Sequence, residues 1–134
     1  MSRRELRENI FKLLFLRGFH QEDEIPRQMA LYFDELDELQ DQDRNYMEEK
    51  FEKVAQLTEK LDEMINGVSS GWKTSRMSKV DLTILRLAVY EIKYDEDVPV
   101  KVAINEAVEL AKKFGQDESA SFINGILGAV AREQ

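Results

Sequence analysis

Residues 80–92 constrain the fold more than any other stretch of this chain. Val80, Leu82, Ile84, Leu85, Leu87, Ala88, Val89, Tyr90 and Ile92 are apolar at almost every angle around a helix. A helix that is hydrophobic all round has no face to give to water, so other helices must cover it. Ser78 supplies a start signal, and Asp81 three residues on resembles a capping box with Asp in place of Glu. Asp95-Glu96-Asp97-Val98-Pro99 reads as the turn that follows.

The covering helices are legible in the same way. Leu6, Ile10, Leu13 and Leu14 fall at helical spacing, so a helix is predicted over about 3–17, with Gly18 as terminator. Residues 19–25 read as a loop. Pro26 fits the first turn of a second helix, predicted to run to about 40 on Met29, Ala30, Tyr32, Phe33, Leu36 and Leu39. Met47, Val54, Leu61 and Val68 recur every seven residues, which predicts a third, longer helix, loosened at its end by Asn66-Gly67. Residues 69–77 are small and polar and hold the only tryptophan. They read as a linker with a short helical turn, Trp72 packing inward as a cover on the core. Val102, Ala103, Ala107, Leu110, Ala111 and Phe114 predict a further helix ended by Gly115. A last helix starts at Asp117 or Ser119 and runs to about 131. Gly125 and Gly128 inside it cost about 1 kcal/mol each relative to alanine, which suggests close approach of a neighbouring helix or a ligand. No strand alternation or solenoid repeat competes. The expected fold is all-α: residues 1–134 as a single domain of six to seven helices in two packed subbundles around the buried helix.

Composition narrows the function. There is no cysteine among the 134 residues, which excludes disulfides and thiolate chemistry and makes a cytoplasmic setting the default. No run of eighteen apolar residues could span a membrane, and no secretory signal is expected behind Met1-Ser2-Arg3-Arg4-Glu5-Leu6-Arg7. The lone histidine, His20, sits beside a loop. Glu106 and Glu109 lack the Glu-x-x-His partner of a di-iron bundle, and Gly125-Ile-Leu-Gly128 has no following lysine. A serine nucleophile would have no histidine partner in any obvious place. No enzyme, metal or cofactor is expected.

Binding remains. The net charge of −8 is segregated: residues 1–21 hold five basic side chains against two acidic, whereas residues 22–49 hold eleven acidic against Arg27 and Arg44. An acidic molecule repels nucleic acid at long range, so RNA binding would need a local basic patch. Arg3 and Arg7 share a helix face and Arg4 adjoins them. They could form that patch or be surface charge balanced by Glu5 and Glu8. Phe122, near a helix start, could stack on a base or belong to the core.

Three segments carry a family resemblance: Val80–Glu91 (VDLTILRLAVYE), Val98–Gly115 (VPVKVAINEAVELAKKFG) and Phe122–Leu127 (FINGIL). Together they resemble, in order and spacing, the signature of the NusB family of transcription antitermination factors. The likeness extends over the whole chain and is weaker between about 20 and 70. It implies an all-helical protein that pairs with NusE, the ribosomal small-subunit protein, and binds the boxA element of nascent single-stranded RNA. Through that complex, the RNA polymerase elongation complex resists termination, chiefly on ribosomal RNA operons. The resemblance carries RNA binding onto Arg3, Arg4 and Arg7 and onto Glu118, Ser119 and Phe122, with Lys113 (beside Lys112) as an extension of the basic surface. It places Asp81 toward NusE, a role compatible with the cap. Arg86, Glu91, Asn105 and Asn124 belong to the signature and are read as buried or half-buried structural groups. Asn9 and Ile10 depart from the family's small residues, and Leu14-Phe15 from its Leu-Tyr. With a thin basic patch, the protein alone is expected to bind RNA feebly and to rely on NusE. Two rivals stand beside this reading. One is a helical protein–protein adaptor without an RNA role, docking a basic partner on 22–49. The other is the NusB-like domain of RNA cytosine methyltransferases, which would require a catalytic domain after residue 134.

Overall fold

The computed structural model describes residues 1–133, and every regular element among them is helical. Seven α-helices follow one another: α1 (Arg3–Arg17), α2 (Ile25–Asp34), α3 (Asp41–Gln56), α4 (Thr58–Val68), α5 (Lys79–Tyr94), α6 (Val100–Phe114) and α7 (Ser119–Arg132). The chain divides into two compact units, Met1–Ala55 and Gln56–Gln134.

In the first unit, α1 is opened by a full capping box. The Glu5 N–H donates to Ser2 Oγ at 3.0 Å, and the Ser2 N–H donates back to Glu5 Oε1 at 3.0 Å. Those bonds hold the Glu5 carboxyl below its usual range, the backbone N–H of Ser2 contributing most. Leu6, Ile10, Phe11 and Leu13 are buried, and Gly18 caps the end as expected. Pro26 lies in the first turn of α2. That helix stops at Asp34, six residues short of the expected end, so Leu36 and Leu39 lie beyond it. Helical C-termini carry partial negative charge. Asp34, Glu35, Asp37 and Glu38 crowd there, and Glu38 adopts φ +54°, which turns the chain out of the helix. The same charge sign suits the start of α3, where Asp41 and Asp43 occupy the first turn.

The expected long third helix is two helices. The break falls at Leu57 (φ −98°, ψ 7°), next to the boundary between the compact units. Neither glycine nor proline marks it, and the seven-residue apolar repeat runs straight through. The end expected to be loose is anchored instead: Asn66 Oδ1 accepts from the Thr74 N–H at 2.8 Å, and Asn66 Nδ2 donates to Thr74 Oγ1 at 3.3 Å.

The second unit is built round α5, which packs against α4, α6 and α7. Ile84, Leu85, Leu87, Ala88 and Val89 are at most 2% exposed, as the all-round apolar pattern requires. Ala103, Ala107, Leu110 and Ala111 form the inner face of α6, and Ile123, Ile126, Leu127 and Val130 that of α7. Polar members of this unit divide. Glu91 is buried. Arg86 is half-buried in a bidentate pair with Asp62, both bonds 2.7 Å. Asn105 and Asn124, expected to be structural, are exposed. At 100° per residue, Asn105 lies opposite the midpoint of Ala103 and Ala107, and Asn124 about 100° round from Ile123. Gly125 is likewise exposed: a Cβ there would meet nothing within 4 Å, so no neighbouring helix of the chain requires it.

Candidate nucleic-acid and partner interface

The segment between α4 and α5 shapes a surface groove of the second unit. Ser69 and Gly71 make a tight turn. The Trp72 N–H donates to the Ser69 carbonyl at 3.0 Å, the Ser69 hydroxyl donates to the Trp72 carbonyl, and Gly71 takes φ +79°. This left-handed residue is accessible to glycine at little cost. It throws the next side chain outward, so Trp72 is 56% exposed rather than a cover on the core. A 3-10 turn at Thr74–Arg76 follows, fastened to α4 through Asn66.

The outward indole meets the start of α7. The Trp72 and Phe122 rings stand edge to face, centroids 6.3 Å apart at 74°. Between this pair and the first turn of α5 lies a groove of about 350 Å³, also lined by Arg76, Met77, Asp81 and Glu118. Ser78 caps α5, its Oγ accepting from the Asp81 N–H at 3.1 Å. The Asp81 side chain does not complete the box: its Oδ1 is buried without a hydrogen-bond partner.

The candidate residues distribute as follows. Asp81, Glu118, Ser119 and Phe122 come together at the groove, so the partner-side candidate and three RNA-side candidates share one site. Ser119 is 4% exposed and holds the loop before α7, its Oγ accepting from the Gln116 N–H at 3.0 Å. Glu118 is exposed and Phe122 half-buried. Lys113 is exposed near the end of α6, its Nζ 5.4 Å from the Phe114 ring centre. Arg3, Arg4 and Arg7 all lie on α1, in the other unit. Arg3 and Arg4 are exposed, whereas Arg7 is only 8% exposed and engaged by its surroundings. Arg76 is a groove residue that the sequence did not single out, and Trp72 one expected against the core. The signal was available: an aromatic directly after glycine in a small polar stretch has little helix around it to bury it.

No three His, Cys, Asp or Glu side chains among the described residues stand close enough to hold a metal ion. No helix among them is long and apolar enough to cross a membrane. Seven helices, an acidic overall charge and an aromatic groove flanked by helix starts define a helical binding protein. Comparison with known proteins makes the class specific. The model of the NusB family matches residues 4–132, and the chain belongs to that family. The transcription antitermination protein NusB of Agathobacter rectalis is 53% identical over 131 residues, covering 98% of this chain and all of the relative. That of Lachnoclostridium phytofermentans is 50% identical over 130 residues, covering 97% and 98%. Both relatives are named as transcription antitermination proteins. Among solved structures, T. maritima NusB superposes with a TM-score of 0.87 at 31% identity, over 100% of this chain and 93% of that one. A structure of antitermination factors NusB and NusE in complex with double-stranded RNA shares the fold, with TM-score 0.81 at 21% identity over 98% and 97% of the chains.

Proposed function

We propose that residues 1–134 act as one RNA- and protein-binding domain of a cytoplasmic transcription antitermination factor. It binds the boxA element of nascent ribosomal RNA transcripts together with NusE, and the resulting complex helps RNA polymerase resist termination. The observation that carries this reading is the near-full-length match, at half of all positions, to proteins named for antitermination. The fold shared with a NusB–NusE–RNA assembly supports the choice of partners.

The electrostatics give the partner a task. A chain of net charge −8 has little long-range attraction for RNA, and the exposed cations of α1 are Arg3, Arg4 and Lys12, the last paired with Glu8 at 3.4 Å. Two arginines neutralise few phosphates, so the isolated protein binds weakly and the partner supplies further positive surface. Asp81 suits the partner's side of the site, since its half-exposed carboxylate at the groove can meet a basic group.

A transcription read-through assay tests the reading. Templates carry a terminator downstream of boxA or of a scrambled element. With the protein and NusE present, read-through rises only on the boxA template, and Asp81→Lys removes the effect by ejecting the partner. Equal read-through on both templates would sink the RNA role. The protein would then stand as an adaptor for a basic partner of the acidic 22–49 stretch.

A further inference from the structure

The groove at the start of α5 and α7 contains a large aromatic surface held open to water. Trp72 is 56% exposed on a segment pinned by the Gly71 turn and by two bonds from Asn66. That turn and those bonds set where the backbone carries the indole. Phe122 stands against it at 74°, so the two rings make a corner rather than a closed stack. We infer that Trp72 and Phe122 form a pocket for one unpaired nucleobase of the bound RNA, with Arg76 at its rim neutralising the adjoining phosphate. The inference rests on the RNA-binding reading above and adds Trp72 and Arg76 to the residues that perform it.

Three physical arguments select a base as the occupant. Every base has a π-face, and stacking on an aromatic side chain contributes about 1–3 kcal/mol per base. Unpaired bases are the parts of single-stranded RNA that can be splayed into such a corner. Asp81 and Glu118 line the same groove and repel a phosphate from its interior. Glu118 is an exposed acceptor, so it favours a base edge that presents N–H donors. The phosphate attached to that base then falls outside, where Arg76, an exposed cation of the groove lining, can reach it.

Trp72 is the only tryptophan in the chain, which gives a direct readout. Single-stranded boxA RNA is titrated into the protein at low salt and into its complex with NusE, with Trp72→Phe as the fluorescence blank. The Trp72 signal is expected to be quenched with the same midpoint as RNA anisotropy. Trp72→Ala is expected to weaken RNA binding about tenfold, Trp72→Phe to retain most of it, and Arg76→Ala to weaken it less while lowering its salt dependence. NusE binding measured without RNA is expected to stay unchanged in Trp72→Ala, and the melting temperature to fall only slightly, through loss of the edge-to-face contact with Phe122. If the wild type binds RNA, Arg3→Ala/Arg4→Ala weakens it, but Trp72 is neither quenched nor needed, this inference alone fails. If Trp72→Ala weakens NusE capture instead of RNA binding, the groove is a protein contact and the inference is again wrong. If the wild type shows no RNA binding in either form, the inference and the RNA reading fall together.

Discussion

Gly115 shows how tightly single residues hold the site. A Cβ placed there would lie 2.6 Å from Ser119 Cβ and 2.8 Å from the Ala111 carbonyl oxygen. Both are closer than real atoms pack, and neither belongs to a flexible side chain. Gly115→Ala is therefore expected to destabilise the protein by about 1–3 kcal/mol, read as a lower melting temperature, because Ser119 and the start of α7 must shift. An unchanged melting temperature would show that this turn is looser than its geometry implies. Tyr32 offers a pH test. Its hydroxyl donates to Asn9 Oδ1, and burial, reinforced by the Glu8 carboxylate, pushes its pKa up to about 12. A phenol whose folded pKa is raised stabilises the fold fully below its ordinary pKa near 10, and that contribution is lost as pH rises through 12. Stability of the wild type is expected to fall over this window, and Tyr32→Phe to lack that part of the decline. One of the four tyrosines should also ionise late in an absorbance titration.

Elements were legible in the sequence wherever the local chemistry agreed with the packing. The Ser78 cap, Pro26, the Gly115 stop and the all-round apolar α5 each combine a start, stop or burial signal with a matching apolar pattern. Two boundaries were not legible. Leu36 and Leu39 continue the apolar spacing of α2 past Asp34, but accumulated carboxylates at a helix C-terminus oppose it. The Leu57 break leaves the seven-residue repeat intact, so periodicity alone cannot reveal it. Glu38 gives the first boundary a quantitative test. A non-glycine residue at φ +54° carries about 1 kcal/mol of backbone strain. Glu38→Gly removes that strain and one carboxylate, offset in part by greater freedom of the unfolded chain. The net expectation is a gain of up to about 1 kcal/mol in a denaturant titration. A clear loss would mean that Glu38 makes a contact outweighing the strain.

At the scale of the whole molecule, the two candidate surfaces differ in how they could be found. The α1 arginines announce themselves by charge, though only the structure separates exposed Arg3 and Arg4 from buried Arg7. The groove is assembled from residues 72–81 and 116–122, and no local pattern joins them. Glu118 and the partner role of Asp81 came from the family resemblance, whereas Phe122 was also a stacking candidate from its place near a helix start. Trp72 was misread because a lone tryptophan in a helical protein is usually core, and the exposing turn depends on one glycine conformation. Both surfaces enter the central claim, that RNA recognition is shared with a partner.

The most direct test of that claim is an equilibrium titration of fluorescent boxA RNA at two salt concentrations, with and without NusE, set beside scrambled RNA. The account predicts weak binding by the protein alone and a preference of tenfold or more for boxA over scrambled RNA with the partner. Arg3→Ala/Arg4→Ala should lower the slope of log affinity against log salt by roughly 1.4, two phosphate contacts on single-stranded RNA. Tight binding of boxA without the partner, or equal affinity for boxA and scrambled RNA with it, would contradict the account.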